Sequence, residues 1–85
     1  MTEEIKERIK KVLVRKLLQG LNPEDIQDDT SLIELGVGAD SVATLEFVVA
    51  LEEEFQLSID EDEINPELLA TVSNISDYIS RRIKP

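Results

Sequence analysis

The sequence predicts an all-α fold: a four-helix bundle of three longer helices and one short or broken helix, with a long loop between helices 1 and 2. Three observations carry this. Residues 3–18, residues 41–55 and the stretch after Thr71 each place apolar side chains at helical spacing. Cap-forming or helix-stopping residues bracket these stretches. The 22 residues of 19–40 hold turn residues and spaced apolar anchors, but no long helical stripe.

In the first helix, residues 3–18, Ile5, Ile9, Val12, Leu13 and Leu17 fall on one face. Glu3 and Glu4 at its start and Arg15 and Lys16 at its end suit the helix dipole. Gly20 is the expected stop signal. The stripe reads as core, because nothing else in a chain this short would bury it.

The connection that follows starts with Asn22-Pro23-Glu24-Asp25, a one-turn helix start with proline at its first position. Ile26, Leu32, Ile33 and Leu35 are read as anchors that pin the loop to the core. Asp28, Asp29 and Thr30 are read as turn residues in preference to cation ligands. A long loop in a compact domain usually has a functional task. Here the task would be to bring Ser41 to the surface.

The second helix runs from about Ser41 to Phe55. Gly38 lets the chain bend ahead of it, and Asp40 and Ser41 are both good N-cap residues. At about 100° per residue, Thr44, Phe47, Val48, Leu51 and Phe55 fall together as a core stripe. Val42, Leu45 and Val49 fall on the opposite side, bordered by Glu46, Glu52 and Glu53. Apolar residues rimmed by charge fit a docking surface. They fit equally a helix buried on two sides in a small bundle, and periodicity alone leaves both open.

Leu57 and Ile59 anchor the next link. Asp60-Glu61-Asp62-Glu63 resembles an acidic helix start with capping-box spacing. It is not a calcium loop: Ile64 stands at the third ligand position and Asn65 at the required glycine. Pro66 then breaks the third helix ahead of Glu67-Leu68-Leu69-Ala70. Thr71 caps the last helix, where Val72, Ile75, Ile79 and Ile83 share a face beside Tyr78.

The 85 residues form a single domain, 1–85, with no cysteine and no histidine. That removes disulfides, thiolate nucleophiles and the commonest general base and metal ligand, so neither an enzyme nor a metal site is expected. The formal charge is −10, and between Leu17 and Ser80 there are sixteen acids and no base. Such a surface repels nucleic acid and anionic membrane and attracts basic proteins. No stretch is long and apolar enough for a membrane span or a signal peptide, so a cytoplasmic location is expected; separately, the chain is expected to be a monomer. Ser41 has no local base to activate it. It is better read as an acceptor for another enzyme, although spacing alone makes it a plain N-cap.

The run Ala39-Asp40-Ser41-Val42, with Leu45-Glu46 and then Ala50-Leu51-Glu52-Glu53-Glu54-Phe55, resembles an acyl carrier protein. The likeness takes in nearly the whole chain, including Ser31-Leu32-Ile33-Glu34-Leu35-Gly36, Thr71-Val72 and Asp77-Tyr78-Ile79. It implies a non-catalytic carrier with 4′-phosphopantetheine on Ser41, transferred from coenzyme A with magnesium by a phosphopantetheinyl transferase. By the same likeness Asp40 serves recognition by that transferase. Val42, Leu45, Glu46, Val49, Glu52 and Glu53 form the helix that docks acyl-loading and synthase enzymes through their basic surfaces. The cargo would be acyl thioesters of fatty-acid or polyketide-type synthesis. Three features depart from the family pattern. Val42 replaces the usual leucine, Val37-Gly38 are two extra residues, and the third-helix region is longer. They favour a specialised carrier over the housekeeping one. The other function class that fits the residues is an unmodified acidic helical adaptor for a basic partner.

Overall fold

The computed structural model describes residues 2–83, with the exception of the Thr2 side chain. Met1, Lys84 and Pro85, and with them the last basic residue and the ends of the expected 1–85 unit, lie outside the described residues. Among the described residues there are three α-helices: α1 (Thr2–Lys16), α2 (Ser41–Phe55) and α3 (Val72–Arg82). Single 3-10 turns stand at Pro23–Asp25 and Glu61–Glu63.

Helix α1 packs against both other helices. Ile9, Val12 and Leu13 of α1, Phe47, Val48 and Leu51 of α2, and Val72, Ile75 and Ile79 of α3 form the centre of the core. Burying each such aliphatic or aromatic side chain contributes about 1.5–3 kcal/mol, and this holds the helices together. Helix α1 is shorter than the expected 3–18. The amides of Leu17 and Leu18 both donate to the Leu13 carbonyl, at 2.8 and 3.0 Å, which closes the helix at Lys16. Gly20 does not take the left-handed conformation of a helix-ending glycine.

The expected fourth helix is not an α-helix. Residues 60–70 consist of the Glu61–Glu63 turn and a second turn from Asn65. The Asn65 side-chain oxygen accepts from the Leu68 amide at 2.8 Å, and its carbonyl accepts from the Leu69 amide at 3.2 Å. Pro66 has no N–H to donate and restricts Asn65, so the acidic turn does not run on as a helix. The capping box at Asp60 does not form: the Asp60 side chain caps nothing. The Glu63 carboxylate instead accepts from the Tyr78 hydroxyl and from Arg82. Leu69 is buried, and Ile64 and Leu68 pack on the core, so the segment is anchored without being helical.

The long loop is clasped between α1 and α3. Asp28 accepts from Lys6 at 3.1 Å and from Lys10 at 2.9 Å, both on α1. Its carbonyl accepts from the Ser73 amide at 3.0 Å, and Asp29 accepts from the Ser73 hydroxyl at 3.1 Å. Asp28 and Asp29 therefore act as ties between elements. The Leu32 amide donates to the Ala70 carbonyl at 2.8 Å, which joins the loop to the 60–70 segment. Ile26 and Leu32 are buried as expected and Leu35 is half-buried, but Ile33 is not an anchor and stands 54% exposed. The turn at 32–37 sends Leu32 inward and its neighbour outward.

Candidate functional site

The loop reaches α2 through Gly36-Val37-Gly38-Ala39-Asp40. Gly36 (φ 110°) and Gly38 (φ 94°) both lie in the region that favours glycine. Between them Val37 is 2% exposed, and its amide donates to the Leu32 carbonyl at 3.0 Å. Val37 is thus a core plug, and Gly38 is the bend that follows it. The Gly38 amide then donates to the Thr44 hydroxyl at 3.0 Å, which fixes the loop to the first turn of α2.

Asp40 is the N-cap. It is extended (φ −118°, ψ 110°), and its Oδ1 accepts from the amides of Val42 and Ala43 at 3.0 and 3.1 Å. These bonds satisfy two of the unpaired amides at the helix start. Ser41 is therefore the first helical residue and not the cap, contrary to the simplest reading of its spacing. It is exposed, and its hydroxyl makes no hydrogen bond among the described residues. With the cap supplied by Asp40, that hydroxyl has no structural duty and no hydrogen-bonded base. It is chemically free but unactivated.

Ser41 stands on the rim of a surface cleft of about 620 Å³. Its apolar walls are Ile33 and Val37 from the loop and Ile64 and Leu69 from the 60–70 segment, with Asn65 as a polar group. The exposure of Ile33 has a place here: it is a wall of the cleft. The sequence reading missed Val37, Ile64 and Leu69 as cleft residues. The glycines flanking Val37 were the available signal, since a valine between two bends has to face one way.

The second stripe of α2 is exposed. Val42 is 67%, Leu45 54% and Val49 49% accessible, while Thr44, Phe47, Val48, Leu51 and Phe55 are buried. The strip is the floor of a shallow groove of about 440 Å³ that also takes in Glu46, Glu53 and Lys16 of α1. Glu52 does not belong to it. Gln56 turns into the left-handed region (φ 56°), and the chain folds back so that the Ile59 amide donates to the Glu52 carboxylate at 2.7 Å. Five of the six residues expected on the docking helix therefore share one surface, and the sixth ties down the following link.

Among the described residues no group of three acids is placed to hold a metal ion, and no helix is long and apolar enough to cross a membrane. A family model described as phosphopantetheine attachment site matches residues 4–79, which takes in all three helices almost completely and the whole loop before Ser41. Members of this family are carriers and not enzymes, and the family is defined by a covalently attached 4′-phosphopantetheine. A small helical domain with a free serine at a helix start, beside an apolar cleft and with residues 4–79 matched in this way, belongs to the phosphopantetheine attachment site family, the family of the acyl carrier proteins.

Proposed function

We propose that the protein carries acyl intermediates of fatty-acid or polyketide-type synthesis on a 4′-phosphopantetheine arm attached to Ser41. The observation that supports this most directly is the division of labour at the start of α2: Asp40 caps the helix, and the Ser41 hydroxyl is exposed and unbonded. When bound, the arm supplies a terminal thiol that holds acyl groups as thioesters.

The residues present fit the group. The Ser41 oxygen would form the phosphodiester, at a helix N-terminus whose field favours an anion. Ile33, Val37, Ile64 and Leu69 would take the apolar part of the arm, and Asn65 offers a polar partner to its amides. In the attachment step the Ser41 oxygen attacks the β-phosphorus of coenzyme A. The pyrophosphate bond breaks, adenosine 3′,5′-bisphosphate leaves, and the serine proton passes to a base on the transferase. Through its Oδ1, Asp40 holds the helix start that carries Ser41, and the family likeness gives it a further part in recognition by the transferase.

On this reading the chain is one carrier domain over 1–85, a cytoplasmic monomer that meets a phosphopantetheinyl transferase and then acyl-loading and synthase enzymes with basic docking surfaces. Val42, Leu45, Glu46, Val49 and Glu53 are the docking residues. The buried Val37 and the two positive-φ glycines support a specialised member, because they reshape the border of the arm's cleft. An unmodified adaptor would use the same exposed strip but has no need of a free hydroxyl.

The test is intact mass after incubation with coenzyme A, magnesium and a broad-specificity phosphopantetheinyl transferase, with Ser41→Ala in parallel. The expected result is a gain of one phosphopantetheine on the native chain and none on the variant. A folded, initially unmodified native chain that gains nothing would sink the carrier reading.

A further inference from the structure

Helix α1 spends three of its bases inside the molecule. Lys6 and Lys10 pair with Asp28, and Arg8 pairs with Glu54. Lys16 is different. It is exposed and makes no ion pair among the described residues, although it lines the same groove as Glu46 and Glu53. The two helices run antiparallel: Arg8 reaches the end of α2 at Glu54, and Lys16, two turns further on, borders the groove that starts at Val42. The groove therefore has an apolar floor of Val42, Leu45 and Val49, acids on its α2 side, and one cation on its α1 side. The simplest reading of Lys16 is a helix-end base that complements the dipole, but Arg15 already stands beside it in the last turn.

From this mixed rim we infer that Lys16 is a specificity residue, which pairs with a carboxylate on the phosphopantetheinyl transferase while the strip takes an apolar side chain and Glu46 and Glu53 take bases. The inference rests on the carrier reading, because it is the position of Ser41 that identifies the occupant. Ser41 immediately precedes Val42, and the strip from Val42 to Val49 is about 10 Å long at 1.5 Å per residue. An enzyme that reaches the Ser41 hydroxyl covers the near end of this groove. A basic group placed directly opposite Lys16 would be locally disfavoured even on a partner that the acidic chain attracts, and a carboxylate there is complementary.

Charge reversal separates this from general attraction by its sign. The chain has a net charge of −10, so replacing any surface base by an acid strengthens its long-range pull on a basic partner. Lys11 is exposed on α1, does not line the groove, and serves as the control. The rate of phosphopantetheine transfer is followed by intact mass, with coenzyme A, magnesium and a broad-specificity transferase, for native, Lys11→Glu, Lys16→Gln and Lys16→Glu chains. Helical circular dichroism checks each fold, and Lys16→Gln decides the matter if Lys16→Glu is unfolded. The expected result is that Lys11→Glu matches or exceeds native. Lys16→Glu should lose about ten-fold in kcat/KM, mainly through KM, and Lys16→Gln a smaller factor in the same direction. Equal behaviour of Lys11→Glu and Lys16→Glu on a native chain that is modified would overturn the pairing and leave the carrier reading intact. Absence of transfer to every variant and to native would overturn both.

Discussion

The Gly38 amide donates to the Thr44 hydroxyl across 3.0 Å, and this bond ties the loop ahead of Ser41 to the helix that bears it. Thr44 is buried, so the bond is shielded from water, and Gly38 makes it from a backbone conformation (φ 94°) that other residues avoid. Thr44→Val keeps the shape and leaves the amide without its partner. The expected cost is about 1–2 kcal/mol in urea unfolding. Gly38→Ala meets no neighbour within 4 Å, so its cost is backbone strain alone, about 1–3 kcal/mol. If the two variants unfold at the native midpoint, the loop is not held by this bond.

A second tie lies at the far end of α2. Arg8 donates through Nε to the Glu54 carboxylate at 2.8 Å and through Nη2 to the Glu54 carbonyl at 2.7 Å, and its guanidinium stands 4.4 Å from the centre of the Phe55 ring. A planar fork makes all three contacts at once, and a lysine ammonium does not. Arg8→Lys keeps the charge and should still lose about 1–2 kcal/mol of stability. An unchanged unfolding midpoint would mean that charge alone matters at this site.

Much of this is legible in the sequence. The core face of α2 follows from Phe47, Val48, Leu51 and Phe55, because a helix of fixed pitch leaves those side chains one direction to point. The caps were less so: Asp40 and Ser41 are both able to cap, and only the extended backbone at Asp40 decides between them. Ile33 misled because in an irregular turn adjacent residues have no fixed period, and Leu32 took the core position. Glu52 lies off the groove because the left-handed Gln56 reverses the chain and brings the Ile59 amide to its carboxylate, a conformation that a residue other than glycine does not announce. The 60–70 segment carries helix-start chemistry that Pro66 and the tertiary bonds of Glu63 override. Lys16 was visible only as a helix-end base, since its place in the groove depends on how α1 and α2 cross.

The loop clasp should be pH-dependent. Hydrogen bonds from Lys10 and Lys6 hold the Asp28 carboxyl below its ordinary value of 3.8, with partial burial opposing them. A carboxyl whose folded pKa is depressed contributes stability above its unfolded pKa and loses it as pH falls through the folded one. The Lys6 ammonium is raised above 10.5, chiefly by its bond to Asp28, so its share is present below 10.5 and lost as pH rises through the folded value. Asp28→Asn should therefore be less stable than native at neutral pH, and the gap should close in acid below 3.8. A gap that stays constant from neutral pH down into acid would show that the Asp28 charge does not hold the loop.

The hydroxyl of Tyr78 gives a direct probe of the 60–70 segment, because it is the only tyrosine in the chain. Its pKa is pushed up to about 12, first by burial and then by donation to the Glu63 carboxylate, while Arg82 pulls the other way. Arg82 also donates to the Ser58 carbonyl at 2.9 Å, so Tyr78, Glu63 and Arg82 together hold the link after α2 against α3. A phenol whose folded pKa is raised binds its proton more tightly in the native state. Its contribution to stability is whole below the ordinary value of 10.0 and is lost as pH rises from there through about 12. Phenolate absorbance in native buffer should show a single transition well above 10.0, and in urea the transition should return to the ordinary value. Glu63→Gln removes the charged acceptor and should lower the native midpoint without unfolding α3. A native midpoint at the ordinary value would mean that Glu63 does not hold the hydroxyl in solution, and the 60–70 segment would then rest on Ile64, Leu68 and Leu69 alone.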